Sequence, residues 1–292
     1  MAIAPRGILV KAPKFNEPKY GLLNSVTPIT PGDPHWMASG IEWEDDLCSD
    51  TLASFIDVCP PTSGFTKPAE RGLSFCASDP FIVVGSFDCS TVGRPADEAF
   101  EIARRRLLAW EGRQVEATLW TGVSANGDVN PSFAFGNEEC DIVPEDVNAA
   151  GALDPVAAIS VLEDALADLI PGSGYIHVPA NVIAFLKSHK MIVEADGGIW
   201  SPAGHRYVVG AGYPGTGPAN AAPAAGQAWI FATGPLVLAR SNVMMVPESV
   251  AEGVNRNINS ITVRAERFYS VGFSCSLLAV RVLLTCDCPD IP

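Results

Sequence analysis

Apolar residues recur at helical spacing in one long stretch of the chain. Phe100, Ala103, Leu107 and Trp110 form a line, and Leu108, Val115 and Leu119 flank it. A stripe on a 3.6-residue period predicts an amphipathic helix packed by one face. Asp97 and Glu98 follow Pro95 and suit the positive end of a helix dipole, and Gly122 stops the run. The helix expected over Ala96 to Thr121 would be a rod of about 39 Å at ~1.5 Å per residue. Trp110 is expected to pack it onto a sheet. Arg104, Arg105, Arg106 and Arg113 stud the other side and read as a solvated face. A second helix starts at Asp154, an N-cap followed by Pro155 in the first turn. Its stripe is Ile159, Leu162, Leu166 and either Leu169 or Ile170, ahead of Pro171 and Gly172.

Strand patterns fill much of the rest. Short β-prone runs lie at 81–84, 175–178, around Ile199, and at 207–209, 229–232 and 236–239, with a short helix over 179–188. Two long runs, 261–273 and 277–284, close the chain. In the first 45 residues Pro5, Pro13, Pro18, Pro28, Pro31 and Pro34 forbid a long helix and predict an extended arm. Its apolar anchors are Tyr20, Leu22, Leu23, Trp36 and Trp43. Residues 46–93 alternate β-prone runs with Pro60, Pro61, Gly64 and Gly85, a strand–loop–strand excursion. Residues 210–226 are dense in glycine, alanine and proline and read as a loop. Helices and strands mix without regular βαβ alternation, which predicts an α+β fold. The length of 292 residues allows one or two domains.

Composition adds a reason to expect association. Hydrophobic residues make up 48% of the chain and charged residues 18%, against about 25% charged in ordinary domains. Apolar surface must be hidden somewhere. No stretch approaches the ~18 apolar residues of a membrane-spanning helix, so large subunit contacts are the better expectation. The net charge of −14 argues against general nucleic-acid binding. Positive charge is nevertheless gathered at the start, where Arg6, Lys11, Lys14 and Lys19 face only Glu17. That start lacks the apolar core of a secretory signal, so a protein made and kept in a cytoplasm is expected.

Cysteines stand at 48, 59, 76, 89, 140, 275, 286 and 288, with no C-x-x-C pair. The expectation is small buried hydrophobes, ahead of a metal site and somewhat ahead of disulfides formed after release into an oxidising medium.

Candidate chemistry is sparse. Gly210-Ala211-Gly212-Tyr213-Pro214-Gly215 matches G-x-G-x-x-G after a strand-like run. A dinucleotide site needs a helix to open there, with an acidic ribose ligand about 20 residues on. Pro214, Pro218 and Pro223 oppose the helix, and 229–235 holds no acid, so these read as loop glycines. Nucleophile-elbow, Walker and H-E-x-x-H patterns are missing. His35, His177, His189 and His205 stand apart from metal-ligand spacing, and His177 reads as a satisfied core or interface residue. The acids Glu44, Asp45 and Asp46, and Glu138, Glu139 and Asp141, read as solvated surface. No catalytic, cofactor or metal residue is therefore assigned, and the chain is not expected to be an enzyme.

The order of elements carries a resemblance. An arm, a β excursion, a long helix closing on Leu119-Trp120-Thr121-Gly122 and a mixed remainder resemble the major capsid proteins of tailed bacteriophages, with the Hong Kong 97 fold. The segment 103–122 is similar to that family's spine helix. Tyr175-Ile-His-Val-Pro179 and Arg206-Tyr-Val-Val-Gly-Ala-Gly-Tyr213 resemble its axial-domain segments, and Phe231-Ala-Thr-Gly-Pro235 has the same look. The segment 261–269 with the β run after it resembles its closing strands. The likeness covers about two thirds of the chain, chiefly 95–285.

The resemblance implies an N-arm (1–45), an E-loop with adjoining strands (46–93), a peripheral domain with its spine helix at about 96–121 (94–150), an axial domain (151–235) and closing strands (236–292). It further implies self-assembly into the hexamers and pentamers of an icosahedral shell around double-stranded DNA, built in the host cytoplasm and located in the virion capsid. Implied partners are other copies, a portal, decoration proteins as an option, and a separate scaffolding protein, since no charged scaffolding segment precedes the arm. Contact with packaged DNA would be non-specific, with no cofactor and no membrane. An encapsulin-like nanocompartment shell is the alternative reading, and a small-molecule-binding enzyme using the 210–215 loop a remoter one. Trp36, Trp43, Trp110 and Trp120 are the expected structural or assembly residues. Arg6, Lys11, Lys14 and Lys19 are the expected lumen-facing basic arm, against the competing reading that they only solubilise a loose terminus or pair with acids of a neighbouring subunit.

Overall fold

The computed structural model describes residues 18–44, 48, 75–90, 96–123, 127, 135, 144–249 and 252–284. Its helices are α1 (Leu22–Ser25), α2 (Trp36–Ser39), α3 (Ala96–Thr121), α4 (Pro155–Leu169) and α5 (Ile183–Ser188). Its strands are β1 (Ile41–Glu44), β2 (Phe75–Ser78), β3 (Phe81–Ser90), β4 (Glu145–Asp146), β5 (Tyr175–Pro179), β6 (Val193–Ala195) and β7 (Gly198–Trp200). They continue with β8 (Arg206–Gly210), β9 (Gln227–Thr233), β10 (Leu236–Arg240), β11 (Met244–Val246), β12 (Val254–Asn255), β13 (Ser260–Phe273) and β14 (Leu277–Leu283). No helix among the described residues is long and apolar enough to cross a membrane.

β13 organises the first sheet. One edge pairs antiparallel with β3, from Ser260 opposite Ser90 to Tyr269 opposite Phe81. The other edge takes β12, β11 and β10 in succession. Alternation decides which face is dry. Val83 of β3 and Ile261, Val263 and Ala265 of β13 are buried in the core that holds α3, while Ile82, Val84, Thr262 and Arg264 are exposed. The sequence set Gly85 as a break after the β-prone run 81–84, yet it lies within β3. A Cβ there would come within 2.5 Å of the Leu107 backbone nitrogen. Glycine lets the helix backbone settle onto the strand.

The second sheet has the order β4-β14-β9-β5-β8-β7-β6. Both faces of its central strands are buried. Ile176, Val178, Ala228, Ile230, Ala232, Leu278, Val280 and Val282 join a core with α4 and α5. Trp229, Phe231, Leu277 and Ala279 point the opposite way, into the core that holds α3. The two sheets therefore share one apolar layer, bridged where β13 turns into β14. α4 begins as its sequence predicts: the Asp154 carboxylate accepts from the Val156 and Ala157 amides at 2.9 and 3.1 Å, a cap contributing about 1 kcal/mol.

Some expectations need correction. Trp110 is 54% exposed and does not pack α3 onto the sheet. The buried line runs through Ala99, Ala103, Leu107, Val115 and Leu119, with Glu111 in step between Leu107 and Val115. A glutamate is tolerated there because β13 supplies its partners. On α4, Leu169 is 43% exposed and Ile170 completes the stripe. α5 is shorter than 179–188. The arm is not simply extended, since one-turn α1 and α2 form between its prolines. The reading of the cysteines as free core residues fails for three of them: Cys48 and Cys275 are joined in a disulfide, and Cys76 is disulfide-bonded too. The expected 1–17 segment and most of the 46–93 excursion lie outside the described residues.

Candidate functional site

The most constrained junction lies where α3, α1 and the 210–215 loop meet. Glu116 is 2% exposed. Its Oε1 accepts from the Leu22 amide and its Oε2 from the Gly212 amide, both at 3.0 Å, and Ala211 adds a backbone donor. The glycine-rich loop that matched a phosphate-binding pattern thus spends its amides on an internal carboxylate. Gly212 is needed for approach: a Cβ there would fall 2.1 Å from the Arg113 carbonyl oxygen. Burial raises the Glu116 carboxyl above its usual range, while the three amides pull it back down.

Behind the loop, His177 is fully buried between two hydroxyls. Its Nδ1 lies 2.9 Å from Tyr213 Oη, and its Nε2 3.1 Å from Thr233 Oγ1. Thr233 donates its own proton to the Gly234 carbonyl, so its oxygen accepts from Nε2–H, which leaves Nδ1 to accept from Tyr213. Desolvation pushes the imidazole down to about 3 and Tyr213 well above a normal phenol. The ring is held neutral at ordinary pH and is poorly placed for proton exchange with solvent. Around it Trp120, Phe135, Tyr213 and Phe231 form an aromatic cluster, with Trp120 4.8 Å edge-on to Phe231 and Phe135 stacked on Phe231 at 4.8 Å. The Trp120 indole donates to the Thr216 carbonyl at 3.0 Å.

A third buried anchor ties α3 to β13. Arg267 donates to both oxygens of Glu111, and the Tyr269 hydroxyl donates to Oε2 at 2.7 Å. Burial and the neighbouring Glu111 charge raise the Tyr269 phenol. Three groups that could have carried chemistry (two carboxylates and an imidazole) are thereby consumed in holding layers together.

An accessible groove of about 300 Å³ lies between α3 and the 18–24 segment, lined mainly by Pro18, Leu23, Leu108, Trp110 and Arg113. The Arg113 guanidinium stands 5.5 Å over the Trp110 ring. Of the other expected residues, Trp36 is buried at the start of α2 and Trp120 in the aromatic cluster, while Trp43 is half-buried against β13. Lys19 is exposed over the Tyr20 ring, and Arg6, Lys11 and Lys14 lie outside the described residues. The structure does not gather the four tryptophans. Sequence reasoning missed Glu111, Glu116 and the Cys48–Cys275 pair. Glu111 follows Leu107 by four residues and Glu116 follows Glu111 by five, which puts both on the apolar side of α3, the one signal that could have found them.

No family model matches the chain, and no curated protein matches it. Solved structures do. The capsid of a native GTA particle superposes with a TM-score of 0.56 at 12% identity, covering 96% of this chain and 95% of that one. A chain of Mycobacterium phage Bobi gives 0.53 at 12%, covering 93% and 92%. A chain of Microbacterium phage Oxtober96 gives 0.51 at 13%, covering 97% and 96%. At such identities it is the fold that is shared, over nearly the whole length of each chain. This protein is an α+β chain with the phage major capsid fold, the Hong Kong 97 type.

Proposed function

We propose that the chain is the major capsid protein of a tailed bacteriophage, assembling as hexamers and pentamers into an icosahedral shell around double-stranded DNA. The observation that carries this reading is the end-to-end likeness to the capsid of a native GTA particle, 96% of this chain against 95% of that one. Surface chemistry supports it. The apolar groove at Trp110, and Phe75, Ile82 and Ile258, meet water in a single subunit and suit subunit contacts. In this reading the layer of β3, α3 and β13 is the peripheral domain, and the seven-stranded sheet with α4 and α5 is the axial domain. Lys19, with Arg6, Lys11 and Lys14, faces the lumen and offsets the acidic chain near packaged phosphate, within the ~10 Å over which charge acts at 0.1 M salt.

Purified protein examined by negative-stain microscopy should give closed shells, or hexamers and pentamers. A monomer at all concentrations would refute the proposal. Shells filled with a protein cargo instead of nucleic acid would move it to a nanocompartment.

A further inference from the structure

Noncovalent contacts fasten the β1–β2 hairpin to the end of β13. The Trp43 indole donates to Ser274 Oγ at 2.8 Å, and its ring lies against Gly272, where a Cβ would fall 2.1 Å from the nearest ring carbon. Ser78 Oγ donates to the Val271 carbonyl and Ser270 Oγ to the Ser78 carbonyl, both at 2.8 Å. Just past β1, Cys48 reaches the same corner and bonds Cys275, with Cα atoms 4.9 Å apart and 227 residues of sequence between them. Cys275 sits in the turn that carries the chain from one sheet to the other, with φ at 70°. A left-handed backbone favours glycine or asparagine, so turn geometry gives no reason for a cysteine there. The partner across the corner does.

We infer that Cys48 and Cys275 form an oxidation-dependent clamp, closed after the Trp43 and Ser78 contacts have assembled, that fixes the β1–β2 hairpin to the junction of the two sheets. Its timing rests on the proposed shell function: a reducing host cytoplasm keeps both residues as thiols, and release exposes them to oxidant. The oxidant is a small disulfide such as oxidised glutathione. One protein thiolate attacks it and expels one glutathione thiol; the second protein thiolate then displaces the other glutathione. Two protein thiols become one disulfide, and one small disulfide becomes two thiols. Both cysteines are partly exposed, so a small oxidant can reach them. The hydrogen bonds at the corner hold their backbones at a spacing that a disulfide can span. Closing so long a loop restricts the unfolded chain and stabilises the folded one.

Full-length protein should be quenched with N-ethylmaleimide at lysis, or first incubated with oxidised glutathione, then digested without reductant and mapped by mass spectrometry. Maleimide on Cys48 and Cys275 in the first sample, and the two peptides linked in the second, are expected. Cys89, a free thiol that is partly exposed, takes the label in the first sample as an internal control. Oxidised wild type should melt about 5–10 °C above a Cys48→Ser, Cys275→Ser double variant, and the gap should close in reductant. Absence of the linked peptide after oxidation, or equal melting of the oxidised proteins, overturns the clamp, and a linked peptide in the quenched sample overturns its timing. A chain that forms the link but never assembles refutes the shell function and leaves the clamp standing.

Discussion

Arg267 of β13 reaches both carboxylate oxygens of Glu111 on α3, at 3.0 and 2.9 Å, in a contact almost closed to water. The pair crosses the interface between helix and sheet, and the Tyr269 hydroxyl completes it. Removing one member strands the other in a medium that solvates it poorly. Arg267→Ala should therefore cost about 3–5 kcal/mol, and replacing both partners by apolar residues much less. Urea denaturation of the two variants checks this. A loss below about 1 kcal/mol for the single variant would show that water reaches the pair.

Gly212→Ala tests the loop junction. The added methyl meets a helix carbonyl and not a flexible side-chain tip, so loop and α3 must separate, which lengthens the Glu116 hydrogen bonds. The expected loss is about 2–4 kcal/mol, from overpacking together with weakened bonds to a buried carboxylate. Gly172→Ala, where a Cβ meets nothing and the backbone suits any residue, is the control without a clash and should lose nothing. Equal losses at the two sites would show that the Arg113 contact is not the cause.

His177 makes the fold acid-sensitive in a defined window. Its pKa falls from 6.5 to about 3 on folding, so between those values the unfolded chain binds a proton that the native one refuses. Its contribution is present above pH 6.5 and lost as pH falls toward 3, on the order of 5 kcal/mol across the window. Glu116 runs in the opposite sense: its raised carboxyl contributes fully below 4.5 and loses that contribution as pH rises through its folded value. His177→Gln should flatten the acid limb of the stability–pH curve relative to wild type. Parallel curves would show that the imidazole protonates freely in the native state.

Local signals carried most of the fold. α3 and α4 follow from capping residues and apolar spacing, and β13 and β14 from long β-prone runs, because these preferences act within a few residues. What stayed illegible depends on pairs far apart in sequence. Trp110 outranked Glu111 as a core residue only while Arg267 and Tyr269, more than 150 positions away, were unknown. Likewise the G-x-G-x-x-G loop could be rejected as a phosphate site from its prolines, but its true occupant, Glu116, is 96 residues earlier. Cys48 and Cys275 share no spacing rule at all.

Trp110 separates folding from assembly. With 54% of its surface exposed and Arg113 as its stacked neighbour, Trp110→Ala should change subunit stability by less than about 1 kcal/mol. In a shell, each subunit presents the same groove, and an aromatic anchor in a subunit contact commonly contributes about 2 kcal/mol or more. The variant should then fold normally yet need at least ~10-fold more protein to assemble, since 1.4 kcal/mol is a factor of ten in association. Thermal melting of the dissociated subunit and light scattering across a concentration series read the two effects independently. Assembly at the wild-type concentration would remove the groove from the subunit interface, and a large drop in melting temperature would return Trp110 to the core.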